Sequence, residues 1–216
     1  MEYLDYYQIL KKDSFIENII REQLTGQKKQ IKPGERIFLE KDRILLIDRG
    51  ALVLCSGNTF LRSFKTNDYL HAIDPQKDQG DRKILLEAME HTILREYCAQ
   101  EFLQFLEQKQ LLSNFFLQEL EKAQKWSYMQ ANRIIISTEE RVISVLQELV
   151  ERFGKEVAHG KVILPKWIKI VTLAKLSGCS RNMASRSIQY LKKQGILTQE
   201  KSLWEINEKA LANLYY

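Results

Sequence analysis

The apolar positions of this chain change period several times, and each change marks a new kind of element. In residues 2–24 they fall three and four apart: Leu4, Tyr7, Ile9 and Leu10, then Phe15, Ile16, Ile19, Ile20 and Leu24. That spacing predicts short helices with one buried face. From about Gln27 to Tyr97 the pattern becomes short apolar runs broken by turn residues. IFL (37–39), ILLID (44–48), ALVLC (51–55) and TFLRSF (59–64) are separated by Lys41-Asp42, Arg49-Gly50 and Ser56-Gly57-Asn58. Strands so closely spaced predict an antiparallel sandwich or barrel-like roll. The stretch 74–82 is a polar loop holding Pro and Gly. ILLEAM (84–89) and TILREY (92–97) fit either element, since their residues favour helix and their lengths favour strand.

Helical period returns after Ala99, first briefly in FLQFL (102–106). A stretch from about Lys109 to Ile136 then runs without Gly or Pro. Its residues Leu112, Phe116, Leu120, Ala123, Ser127, Gln130 and Ile134 fall at steps of four and three. This is a heptad-like seam that turns polar at Ser127 and Gln130. A helix of that length would span ~42 Å, which a single small domain would struggle to bury. The seam predicts a homodimer, and packing along the roll of its own subunit is the competing reading. Ser137-Thr138-Glu139-Glu140 then has the S-x-x-E order of a capping box. It starts a helix with Val142, Ile143, Val145, Leu146, Leu149 and Val150 inward, and Gly154 stops it. The expected organisation is α+β: residues 1–108 form helices and the roll, 109–136 a dimerisation helix, and 137–216 a separate C-terminal domain.

The C-terminal domain carries the most specific pattern. VILP (162–165) predicts a short strand, and a helix over about 169–176 follows with Leu173 and Leu176 inward. Ser177-Gly178-Cys179 then turns the chain. Gly178 can take the positive φ that a tight helix–helix turn needs, and the small Ala174 allows close approach. Ser180 can cap the next helix. There Ala184, Ile188 and Leu191 face inward, while Arg181, Asn182, Ser185, Arg186, Gln189 and Lys193 face out. Arg suits guanine bidentately, and Asn or Gln suits adenine. Their place in the first turns fits a recognition helix whose N-terminal part enters the major groove. ILTQ (196–199) and SLWEI (202–206) flank Glu200-Lys201 as a hairpin, the wing of a winged helix. Asn207 can cap a last helix, Glu208–Leu214.

Charge sharpens this picture. Of the net +5, all lies in residues 137–216, with 13 Lys+Arg against 8 Asp+Glu; residues 1–136 hold 20 of each sign. Within 161–201 nine basic residues face one acid, Glu200. That is an electrostatic footprint for a polyanion, double-stranded DNA by default, although a solvated basic face has the same composition.

The whole pattern resembles the Crp/Fnr family of bacterial transcription regulators. The resemblance covers nearly the full length, and its most specific piece is GCSR (178–181), similar to the family's turn into the recognition helix. PGE (33–35) resembles the turn that opens the family's roll, and Arg49-Gly50 a later turn. The resemblance implies a cyclic-nucleotide-binding-like jelly roll, a dimer helix and a winged helix-turn-helix. It places Arg181, Asn182 and Arg186 against bases and Lys169 and Ser180 near phosphates; the outward face of the helix adds Ser185 to the expected base readers and Gln189 and Lys193 to the expected phosphate contacts. Asn182 departs from the Glu common in the family, so the operator should differ. The resemblance also adds RNA polymerase to the candidate partners and a bacterial cytoplasm as the setting.

The sensor side departs further. Where cyclic-nucleotide binders in the family carry Gly-Glu, this chain has His71-Ala72, and the later Arg–hydroxyl pair becomes Arg82-Lys83. The two hydroxyl residues that would meet the base become Trp126-Ser127. Cyclic AMP is therefore not expected. Arg82, Lys83, Trp126 and Ser127 remain a weak candidate site for another anion, although two adjacent basic residues in a polar loop such as Arg82 and Lys83 are more often solvated. The family's iron–sulfur sensors use four cysteines, mostly near the N-terminus, and this chain has none before Cys55. Three scattered cysteines, Cys55, Cys98 and Cys179, suit packing in a reducing compartment. His71, His91 and His159 show no ligand spacing, so no metal is expected. There is no signal-peptide pattern and no apolar run of membrane-spanning length, so no membrane partner is expected. No nucleophile–base pair or phosphate-cradling Gly loop points to an enzyme. The competing function is a signalling module that binds a cyclic nucleotide or other small anion and acts through protein partners.

Overall fold

A computed structural model of the chain describes residues 14–71, 84–157 and 160–215. The part of the expected N-terminal helices before Ser14, the whole 74–82 loop with Arg82, and Lys83, Ala72 and His159 lie outside them. The chain divides into two compact units, residues 1–54 with 63–129, and residues 55–62 with 130–216. The division falls inside the long helix rather than at Ser137.

The first unit begins with α1 (Phe15–Gln23). Eight strands follow: β1 (Gln27–Ile31), β2 (Arg36–Leu39), β3 (Arg43–Arg49), β4 (Ala51–Ser56), β5 (Thr59–Lys65), β6 (Tyr69–His71), β7 (Ile84–Ala88) and β8 (Thr92–Cys98). They form two four-stranded sheets, ordered β1-β8-β3-β6 and β2-β7-β4-β5. The pairings β1–β8, β2–β7, β3–β6 and β3–β8 are antiparallel. This is the expected roll, and it resolves the two ambiguous segments as strands. β8 pairs with β1 on one side and β3 on the other. Helix-favouring Leu94 and Glu96 yield in β8 because burial between two neighbours outweighs local propensity.

The unbroken apolar run ILLI in β3 has a physical cause. Leu45 and Ile47 face a core shared by both sheets, with Leu52, Phe64, Leu70, Leu86 and Leu94. Ile44 and Leu46 face the opposite way, into a second core with Ile16, Ile20, Tyr69, Phe102, Leu106 and Phe115. A strand covered on both faces has no reason to alternate. The second core recruits three helices: α1, α2 (Ala99–Gln108) and the start of α3 (Leu112–Ile135). Phe102 meets Tyr69, Tyr97 and Phe115 in edge or tilted ring contacts, with centroids 5.4–5.8 Å apart. α1 is also tied down by charge. Arg21 Nε and Arg95 Nε each donate to Asp48 at 2.8 Å, and Arg21 Nη2 donates to Asn67 Oδ1 at 2.6 Å. Burial opposes the Asp48 charge, but the two arginines outweigh it and hold the carboxyl below its ordinary value.

α3 is shorter than the sequence pattern suggests. Lys109–Leu111 forms a turn, with Gln110 at φ 57°, and the helix proper has 24 residues, ~36 Å. At its C-terminal end Ser137 caps α4 (Thr138–Phe153). The Glu140 amide donates to Ser137 Oγ at 3.2 Å, and the Ser137 amide to Glu140 Oε2 at 2.7 Å. Both halves of the expected capping box are therefore made, and Gly154 ends the helix.

Candidate nucleic-acid interface

After α4 come β9 (Lys155–Val157), β10 (Lys161–Ile163), α5 (Ile170–Ser177), α6 (Arg181–Lys193), β11 (Leu197–Glu200), β12 (Leu203–Asn207) and α7 (Glu208–Ala212). A 3-10 turn spans Asn213–Tyr215. The sheet order is β11-β12-β10-β9. β9 has no counterpart among the expected strands. Its sequence, Lys-Glu-Val, is exposed throughout and carries no apolar alternation. Its partner β10 holds it by backbone pairing alone.

Three helices make the core of this unit. Val142, Ile143, Val145, Leu146, Leu149 and Val150 of α4 are buried, as are Leu173 and Ala174 of α5 and Ala184, Ile188 and Leu191 of α6. Leu176, expected inward, is half-buried. α5 ends at Gly178, which sits at φ 60°, ψ 38°, the left-handed conformation that favours glycine. The Cys179 amide then donates to Ala174 O at 3.0 Å, closing the turn. Burial raises the Cys179 thiol above its ordinary pKa, which suits a packing role.

Ser180 stands in extended backbone at φ −70°, ψ 152°, and its hydroxyl accepts from the Met183 amide. The cap starts α6 at Arg181. Four buried residues, Ala184, Ser187, Ile188 and Leu191, define one stripe of α6. Arg181, Asn182, Arg186, Gln189 and Lys193 are exposed, and Ser185 is half-buried. Lys169 and Ser180 are exposed as well, Lys169 at the N-cap of α5. All eight expected DNA-facing residues therefore lie on α6 or at the start of α5 or α6. Among the described residues no ion pair engages Arg181, Arg186, Lys169 or Lys193.

Two features of the interface lack a strong sequence signal. Lys192 Nζ donates to Gln199 Oε1 at 2.8 Å, joining the last turn of α6 to the wing strand β11. The wing itself turns on Lys201 and Ser202, at φ 46° and 68°. Two consecutive positive φ values suit a two-residue hairpin turn, usually built with Asn or Gly. Trp204 and Ile206 anchor β12 in the core, and Asn207 caps α7 by accepting from the Ala210 amide at 3.1 Å.

The expected seam of α3 is open to solvent. Phe116, Leu120 and Ile134 are 49%, 54% and 80% exposed. Ala123 and Ser127 are exposed, while Leu112 and Gln130 are half-buried. The competing reading, in which α3 packs along its own subunit, is met most deeply at the start of the helix, where Phe115 rather than Phe116 faces inward, and Lys122 further along lies over the Tyr69 ring at 5.6 Å.

Of the weak anion site, Trp126 is half-buried and Ser127 exposed on α3, while Arg82 and Lys83 lie outside the described residues. Among the described residues no three His, Cys, Asp or Glu side chains could hold a metal. No described helix is long and apolar enough to cross a membrane.

No protein-family model and no curated protein matches the sequence. Solved structures do match. A cyclic nucleotide-binding domain containing protein from Listeria monocytogenes EGD-e superposes with a TM-score of 0.74 at 19% identity, over 97% of this chain and 99% of that one. FixK2 from Bradyrhizobium japonicum gives 0.69 at 17% identity, over 88% and 98%. TTHB099 from Thermus thermophilus, a transcriptional regulator of the CRP family, gives 0.66 at 13%, over 85% and 94%. The architecture expected from the Crp/Fnr resemblance is thus the one observed: a roll of two antiparallel sheets, a long helix and a winged helix-turn-helix.

Proposed function

We propose that the chain is a sequence-specific DNA-binding transcription regulator of the Crp/Fnr type, working as a homodimer. One observation carries the reading. A capped, glycine-turned helix exposes Arg181, Asn182, Arg186 and Gln189 together, in the part of the chain that holds all the excess positive charge. Lys169, Ser180 and Lys193 set the register on phosphates, and Arg181, Asn182, Ser185 and Arg186 read base edges. The exposed apolar seam Phe116, Leu120, Ala123 and Ile134 pairs two copies, so that two α6 helices meet half-sites about one helical turn (~34 Å) apart. Cyclic AMP is not its effector, because His71-Ala72 stands where the family's nucleotide binders carry Gly-Glu. The chain acts by binding rather than by catalysis, in the bacterial cytoplasm.

Selection of bound duplexes from a random pool, followed by affinity measurement across salt, tests this. A two-fold-symmetric site should emerge, with log affinity falling linearly in log salt. Affinity indifferent to sequence and flat in salt would refute it.

A further inference from the structure

α3 and α4 are separated by two residues, Ile136 and Ser137. Burial around this break is inverted. Ile134 and Ile135 are 80% and 81% exposed, whereas Arg133 beside them is only 6% exposed. Beyond Phe115, Arg133 is the one buried residue of α3 among those described. Its Nη2 donates to Glu148 Oε2 at 2.7 Å, and Glu148 lies three turns into α4. Arg141, also on α4, sends Nη1 back to the carbonyl of Arg133 at 3.4 Å and Nη2 to Thr138 Oγ1 at 3.3 Å. The last turn of α3 is therefore clamped to α4 by a buried ion pair and a second arginine.

Burying this pair adds little stability, since desolvation of both charges offsets their attraction. Its value is directional. An apolar contact slides and accepts several rotamers, whereas a short guanidinium–carboxylate bond holds one geometry. We infer that Arg133 and Glu148 are positioning residues for DNA reading: they fix the direction in which α3 enters the DNA-binding unit, and through it the half-site spacing a dimer accepts. The inference rests on the dimeric DNA-reading function proposed above. It goes beyond it by assigning spacing to a pair that belongs neither to the proposed DNA-facing residues nor to the proposed seam.

The test uses the full chain, its selected symmetric site, the same site with the spacer changed by one base pair, and a single half-site. Wild type should prefer the native spacing by on the order of tenfold. Glu148→Gln, which keeps the shape and removes the charge, should cut that preference to about twofold while half-site affinity holds. The double variant Arg133→Met with Glu148→Met separates positioning from folding, because it refills the site with apolar atoms. It should unfold at or above the wild-type denaturant midpoint and still tolerate altered spacing. Amide exchange in Glu148→Gln should rise across 133–141 and stay slow in the rest of α4 and in α5 and α6. Wild-type discrimination of spacing in the double variant, equal losses on half-site and full site, or exchange rising throughout α4–α6 would each overturn the positioning role alone. No sequence preference in wild type would overturn the DNA-reading function and this inference with it.

Discussion

The hydroxyl of Ser180 accepts from the amide of Met183 at 3.3 Å, so the start of α6 is fixed one residue before Arg181. One side chain thereby serves folding and faces the surface proposed for phosphate. The two roles come apart by substitution. Ser180→Ala should cost ~1 kcal/mol of stability through the lost cap. Ser180→Asp keeps a capping oxygen, and its charge suits a helix N-terminus. It should melt near wild type yet bind every DNA sequence more weakly, because a carboxylate would face a phosphate. Thermal melting and binding to specific and random duplexes, measured on the same samples, check both.

The side chains of α6 should differ in kind as well as in degree. Arg181→Ala or Arg186→Ala should cost about 1–3 kcal/mol on the selected site and relax one base position. Lys169→Ala or Lys193→Ala should weaken all sequences alike and reduce the salt slope by about 1. Asn182→Glu exchanges a side chain suited to adenine for one that accepts from cytosine. Repeating the selection with that variant should move one symmetric pair of positions toward cytosine and leave the rest unchanged.

Pairing through α3 predicts a charge-sensitive assembly. Leu120→Glu or Ile134→Glu places a carboxylate on a face that is 54% or 80% exposed in the single chain. Monomer stability should change by less than about 0.5 kcal/mol, as for surface sites generally. Sedimentation should shift from dimer to monomer, and affinity for the full site should fall toward that for a half-site. A dimer that persists in both variants would place the contact elsewhere.

Much of the local structure at the candidate interface was legible in the sequence because its signals are local. A capping box needs four residues, a helix–turn–helix about 20, and a recognition face shows in the identity of residues three and four apart. Elements set by distant partners were harder to read. ILLEAM and TILREY became strands only through pairing with residues far along the chain, Arg36–Leu39 for the first. β9 has no pattern of its own and exists because β10 lies beside it. Arg133 looks like one more polar residue on an amphipathic helix, and its partner Glu148 lies beyond a turn whose geometry the sequence leaves open. The anion site at Arg82, Lys83, Trp126 and Ser127 rested on a resemblance alone, and Arg82 and Lys83 lie outside the described residues.

Gly50 shows a turn that tolerates no side chain. It sits at φ 105°, and a Cβ there would lie 2.7 Å from Thr92 Cα and 2.5 Å from its Oγ1. Thr92 cannot retreat, since its hydroxyl bonds with the Ala51 carbonyl and amide at 3.2 Å in a fully buried position. Gly50→Ala should therefore cost more than the ~1 kcal/mol typical of a single substitution, adding backbone strain to a steric clash. The urea midpoint should drop with an unchanged slope, and DNA specificity in the folded fraction should be preserved.

Glu17 gives the clearest pH prediction. It is only 6% exposed on α1, and burial raises its carboxyl above the ordinary Glu range. Glu119 on α3 adds to the rise, while Lys122 and Arg21 partly oppose it; Lys122 is itself paired with Glu119 at 2.8 Å. Tyr69 of β6 lies on the same side with its own ionisation pushed far up, so it stays neutral. The folded state therefore holds the Glu17 proton to higher pH than the unfolded chain. Its contribution is fully present below the unfolded value, about 4.3, and declines as pH rises through the raised folded value. Asp48 works in the opposite sense, its depressed carboxyl withdrawing stability as pH falls through its folded value. Subtraction isolates Glu17: Glu17→Gln should gain on wild type as pH rises from 4 to 8, about 1 kcal/mol for each unit of upward shift. Urea midpoints across that range, at constant slope, read the difference. A gain equal at every pH would mean that packing, not the buried charge, separates the two chains.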